Sequence, residues 1–167
     1  LRNQGRLDRG SFVHPAIGFN FRMTDLQAGI GVVQINKLDE IISRKTRILE
    51  WYRAGLEEMD EVRFLALEPG SNRVPFRVVL LCDNVQDLSA HLEDKGVQVR
   101  GFFYPLHKQP CFQDLALIND AGVSLDDMDY PNAIYGSEHG ICLPVHPTLS
   151  REEVGYVTDA VQGFYTT

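Results

Sequence analysis

VPFRVVLLCDNVQDLSAHLEDKGVQVRGFF, residues 74–103, is the stretch whose reading decides the fold. Val74 to Leu81 is an apolar, β-branched run suited to a buried strand, and Val97 to Phe103 is a second run of the same character. Between them, Val85 to Lys95 has the pattern of a short amphipathic helix. Gly96 ends that helix, because glycine takes the left-handed conformation that closes a helical C-terminus without strain. Strand, helix, strand predicts an α+β unit in which helices pack on a small antiparallel or mixed sheet.

Toward the amino terminus, Val62 to Leu67 predicts a short strand, and Pro69-Gly70-Ser71-Asn72 a turn. Earlier still, Thr24 with Gln27 three residues on forms a capping box, in which side chains satisfy backbone N–H groups that the first helical turn leaves unpaired. From there Leu26, Ile30, Val33, Ile35, Leu38, Ile42, Leu49, Tyr52 and Leu56 recur mostly three or four apart. This spacing predicts one helix over 24–58, roughly 50 Å long at 1.5 Å per residue. A chain of this size is only about 30 to 40 Å across when compact, so part of such a helix is expected to lie against another domain or subunit. Gly29 and Gly31 weaken its start, which fits either close approach by a neighbour or a frayed first turn. Residues 1–23 mix Gly5, Gly10, Pro15 and Gly18 with aromatics and arginine, and predict an ordered loop.

Toward the carboxy terminus, Tyr104 to Tyr130 carries Pro105, Pro110, Gly122 and the acidic run Asp126, Asp127 and Asp129. It predicts a long connection with a helical turn near Phe112 to Ile118. A helix is expected after Pro131 and a turn at Leu143-Pro-Val-His-Pro147. A second capping box, Ser150 with Glu153, opens a final helix to about Phe164. The expected organisation is a loop over 1–23, a long interdomain helix over 24–58 and a small α/β domain over 59–167.

The chain has 167 residues, 44% hydrophobic and 23% charged, with a formal net charge of -7. That length supports one domain with a hydrophobic core plus appendages. The acidic balance disfavours a nucleic-acid partner. The densest basic cluster, Arg44, Lys45 and Arg47, sits beside Asp39, Glu40 and Glu50 as a solvated helix face. Cys82, Cys111 and Cys142 form no CxxC pair, so neither a zinc site nor a disulfide framework is expected, and a reducing cytoplasm fits best. No apolar run approaches the 18 or so residues of a membrane span, and no signal peptide is visible. P-loop, GxGxxG and GxSxG patterns are absent. The opening at Leu1 reads as the interior of a longer sequence or as a trimmed terminus.

No complete catalytic constellation is visible, and the polar information concentrates in two loops. In His14-Pro-Ala-Ile-Gly-Phe-Asn-Phe-Arg-Met23, Asn20 and Arg22 stand just before a helix start. There an amide, a guanidinium and unpaired N–H groups suit a phosphate or carboxylate. The alternative is structural, with Asn20 in a left-handed turn and Arg22 solvated. In Phe103-Tyr-Pro-Leu-His-Lys-Gln-Pro-Cys111, His107 is placed to bond a ligand phosphate or hydroxyl, or else is a satisfied loop residue. His139 and His146 read as structural. Glu57/Glu58 and Asp126/Asp127 read as solvated surface.

LRNQGR at the start, HPAIGFNFRMTDLQAGIGVVQINKLDEII (14–42), YPLHKQPCF (104–112) and ICLPVHPTLSREEV (141–154) occur in the order of the landmarks of one family. The chain resembles the carboxy-terminal portion of the DegT/StrS-type nucleotide-sugar aminotransferases, in the manner of GDP-perosamine synthase and others acting on 4-keto-6-deoxy sugars. The resemblance implies the small domain of a fold-type I pyridoxal-phosphate (PLP) enzyme, a homodimer with active sites at the subunit interface, deoxysugar (O-antigen) chemistry and L-glutamate as donor. It implies that Asn20 contacts the PLP phosphate in the partner's site, that Arg22 lines the sugar-nucleotide pocket, and that His107 and Tyr104 border the substrate. It assigns His14 no role. The family's Schiff-base lysine, its pyridine-nitrogen aspartate and its stacking aromatic ring all precede LRNQGR. Lys37, Lys45, Lys95 and Lys108 lie outside that context. The expectation is therefore no catalytic residue in this stretch, no PLP bound by it alone and no metal or membrane partner. A stand-alone, non-catalytic dimerisation module is the alternative.

Overall fold

The computed structural model describes residues 15–71, 73–112 and 126–166. LRNQGR, His14 and the helical turn expected beyond Phe112 lie outside the described residues. The chain falls into two compact units, 1–40 and 41–167.

In the first unit an extended segment leads to α1 (Asp25–Asn36). Thr24 caps it as the sequence predicts: the Gln27 N–H donates to Thr24 Oγ1 (3.3 Å), and the Thr24 N–H donates to Gln27 Oε1 (2.9 Å). The single helix over 24–58 is corrected to two, because α1 ends at Asn36 and α2 (Leu38–Leu56) begins after Lys37. Lys37 has φ -99° and ψ 0°, and its N–H turns back to the Gln34 carbonyl at 3.1 Å. The local cause is legible. Val32, Val33 and Ile35 are β-branched, and Asn36 competes with the helical backbone through its own side chain. Asp39 and Glu40 then suit a fresh helix start, where the dipole favours negative charge.

The second unit is built on a four-stranded sheet: β1 (Arg63–Phe64), β2 (Val78–Leu81), β3 (Arg100–Gly101) and β4 (Gly140–Leu143), in spatial order β1-β2-β4-β3. Every pairing is antiparallel, with Val79 opposite Cys142 and Cys142 opposite Arg100. β2 and β3 therefore run parallel to each other with β4 between them, a split βαβ arrangement whose crossover is α3 (Val85–Asp94). Gly96, at φ +75°, ends that crossover as expected.

β4 is the strand that sequence reading missed. It has four residues and follows directly on α4 (Pro131–His139), so it never shows the alternation that marks a strand. Both of its faces are nonetheless buried, as befits the centre of a sheet. Gly140 is required there. A Cβ at that position would collide with the Gly136 carbonyl oxygen and with Phe102 Cβ, so glycine lets α4 come down onto the strand.

One face of the sheet presents Val78, Leu80, Ile141 and Leu143 to α2, α3 and α5 (Arg151–Tyr165). Ile48, Tyr52 and Leu56 enter from α2, Leu88 and Leu92 from α3, and Val154, Val157 and Val161 from α5. Each such side chain contributes roughly 1.5–3 kcal/mol by leaving water. Ile48 takes the core position that the sequence spacing gave to Leu49, which is only half-buried. Tyr52 is fully buried, and its hydroxyl donates to the Pro144 carbonyl at 3.0 Å. Among the described residues no helix is long and apolar enough to cross a membrane.

Candidate functional site

The loop leaving β3 carries the first candidate group. Pro105 directs the chain into a 3-10 turn, Leu106–Lys108, which lifts His107 and Lys108 off the sheet. Twenty residues on, a second 3-10 turn, Asp127–Asp129, meets it. Asp126 fixes that turn by accepting from the Met128 N–H (2.8 Å), while the Asp126 N–H donates to Asp129 Oδ2 (2.7 Å). Asp127 is thereby held toward the histidine loop.

A single carboxylate then serves two partners. His107 Nε2 lies 2.8 Å from Asp127 Oδ1, and Lys108 Nζ donates to Asp127 Oδ2 at 2.9 Å. The His107 ring also stacks on Tyr130, with centroids 4.7 Å apart. Its side chain is 9% exposed against 52% for Asp127, so the imidazole is clamped while the carboxylate faces solvent. Lys108, hydrogen-bonded to it, pulls the Asp127 carboxyl below the ordinary range, and His107 adds to the effect. In return Asp127 pushes the Lys108 ammonium up. With the proton on Nε2, facing the carboxylate, Nδ1 of His107 becomes an acceptor for a ligand hydroxyl or N–H.

Tyr104, at the head of the same loop, is 55% exposed. Asp127 and Tyr130 escaped sequence reading. The expectation that Asp127 is merely solvated is corrected to that of a group bridging His107 and Lys108. The signal available was the acidic run, but nothing in a 20-residue separation says which loop it meets. Of the two histidines read as structural, His139 has Nδ1 3.1 Å from the Tyr135 carbonyl oxygen and His146 has Nδ1 3.0 Å from Thr148 Oγ1.

The second candidate group lies in the first unit. Phe19 and Phe21 stack face to face, 4.9 Å between centroids and 8° between planes. Successive side chains of an extended segment alternate in direction, so Asn20 and Arg22 share the opposite side. Both are exposed. They stand immediately before the N-terminus of α1, whose free N–H groups favour an anion.

The model of the DegT/DnrJ/EryC1/StrS aminotransferase family matches residues 1–162. The chain belongs to that family. It is 28% identical over 167 residues to GDP-perosamine synthase of Escherichia coli O157:H7, a match that takes in 99% of this chain and 43% of that protein. Among solved structures, DesV of S. venezuelae superposes with a TM-score of 0.83 at 23% identity, covering all of this chain and 43% of the other. The aminotransferase TlmJ of Streptoalloteichus hindustanus gives 0.79 at 26%, again over the whole chain and 44% of its partner. The 167 residues thus span about two fifths of the length of these relatives.

Proposed function

We propose that this chain serves a PLP-dependent transfer of an amino group, with L-glutamate as donor, to a 4-keto-6-deoxy sugar nucleotide in deoxysugar biosynthesis. The observation that carries this reading is the family match across 162 of the 167 residues, together with the GDP-perosamine synthase likeness. PLP supplies the electron sink for exchanging amine and ketone.

On this reading the described residues supply recognition groups rather than a complete seat for that coenzyme. Lys37 is exposed at the helix junction, and Lys95 closes α3. Lys45 donates to the Pro75 carbonyl at 3.3 Å, and Lys108 is kept protonated by Asp127. Our reading gives these described residues no part in the covalent attachment of PLP. Their role is recognition. Asn20 donates its amide to the coenzyme phosphate in a partner's site, and Arg22 lines the sugar-nucleotide pocket. His107 accepts from a substrate hydroxyl, with Tyr104 beside it. We place the reaction in the cytoplasm, on the strength of three free cysteines.

The test uses the 167-residue chain mixed with PLP, then with L-glutamate and a keto-sugar nucleotide. No borohydride-reducible adduct and no turnover are expected. A stable adduct, or turnover by these residues alone, overturns the division of labour. A second reading, a self-associating non-catalytic module, is favoured by the exposed apolar side chains of the first unit, including Ile17 (90%), Leu26 (78%) and Ile35 (70%).

A further inference from the structure

His107 and Lys108 stand side by side in the loop after β3, and a neighbouring pair of donors of that kind ordinarily reads as a place for a phosphate or carboxylate. The fold fills that place from within. Asp127 gives Oδ1 to His107 at 2.8 Å and Oδ2 to Lys108 at 2.9 Å, so both of its oxygens are engaged by the loop. The turn that brings it there is itself capped at both ends of its first residue pair, by the Met128 N–H on Asp126 and the Asp126 N–H on Asp129. On the other side, the Tyr130 ring lies within 25° of the imidazole plane and holds the ring flat against it.

Lys108 settles the state of the carboxylate. An ammonium can only donate, so Oδ2 accepts and the carboxyl stays ionised. An ionised carboxylate has no proton to give, so the imidazole atom facing Oδ1 must be an N–H, and the proton of neutral His107 sits on Nε2. Nδ1 is then the remaining polar atom of the ring, and it offers a lone pair. Lys108, Asp127 and neutral His107 sum to zero charge. Asp126 and Asp129 on the same turn, and Glu138 on α4, add negative charge around them.

We propose that Asp127 decides which ligands the His107 loop accepts: as an internal counter-ion it takes the place an anion would occupy, and it fixes His107 to receive a ligand O–H or N–H. Asp127 is thus a positioning residue, acting through His107. The inference rests on the proposed function in taking His107 as a substrate contact, and it narrows that reading. A sugar hydroxyl suits the loop, whereas the carboxylates of L-glutamate find no partner in it.

Nitrogen-15 NMR of the 167-residue chain at about pH 8, where free imidazole is neutral, is the experiment. His107 is expected as a single Nε2–H tautomer. Inorganic phosphate and glutarate are expected to cause no saturable shift at His107 or Lys108. Asp127→Asn puts there an amide that donates as well as accepts, so both tautomers fit opposite it. In that variant His107 should become a tautomer mixture. Saturable phosphate binding should also appear, at least about tenfold tighter than any in the unaltered chain, because a like charge a few ångströms from the ligand has gone. Asp127→Glu keeps the carboxylate and should restore both behaviours. The Asp127 side chain is 52% exposed, so neither variant disturbs the core. An Nδ1–H tautomer or saturable anion binding at this loop in the unaltered chain overturns the assignment. So does an unchanged tautomer or no gain of phosphate binding in Asp127→Asn, or an Asp127→Glu that behaves like Asp127→Asn. These readouts involve neither PLP nor turnover, so their failure leaves the aminotransfer reading standing, and turnover by the isolated chain leaves the Asp127 assignment standing.

Discussion

Asp127 holds His107 and Lys108 through one carboxylate, so the bridge has two pH limits. The Asp127 pKa is lowered by its partners, so its contribution is present above the ordinary carboxylate value of about 3.9 and is lost as pH falls through the depressed one. The Lys108 pKa is raised, so its share is present below the ordinary value of about 10.4 and is lost as pH rises through the elevated one. NMR titration should find Asp127 ionising below free aspartate. In Asp127→Asn, Lys108 should titrate closer to a free lysine and the His107 ring should lose its fixed orientation. An unchanged Lys108 titration would show that the bridge does not persist in solution. At this scale the sequence singled out His107 from its proline-rich loop. It could not reveal Asp127, because a salt bridge between turns twenty residues apart has no period, and an acidic triplet looks like any solvated surface.

The capping boxes of α1 and α5 are local rules stated within four residues, and with Ser or Thr followed by Gln or Glu both were legible. Ser150→Ala should destabilise α5 by about 1 kcal/mol and lower Tm by about 2–4 °C. Thr24→Ala should leave Tm nearly unchanged and instead speed amide exchange in the first turn of α1, since no α1 residue is buried. Gly140→Ala forces a methyl against the Gly136 carbonyl and Phe102, and is expected to cost about 1–3 kcal/mol in a urea melt. A neutral result would mean that α4 can lift off the sheet. The break at Lys37 and the strand β4 were hidden for opposite reasons. An apolar spacing can continue across a kink, whereas four residues are too few to set up any spacing.

For the molecule as a whole, the first unit exposes an apolar surface that water disfavours: Ile30 is 59% exposed, Val32 58% and Phe21 69%. Light scattering of the chain should show a mass that rises with concentration, and Ile30→Glu should reduce it. A constant monomer mass up to high concentration would mean that this surface stays solvated. The second unit has its own constraint in time. β4, at residues 140–143, lies between β2 and β3, so neither of those strands has its inner neighbour until Leu143 has been made. During synthesis, which proceeds at about 5–20 residues per second, β2 and β3 emerge several seconds before the strand that joins them. A nascent chain stalled before Gly140 therefore presents two unpaired edges to the cell, and ribosome-bound intermediates of that length should be the ones on which chaperones accumulate.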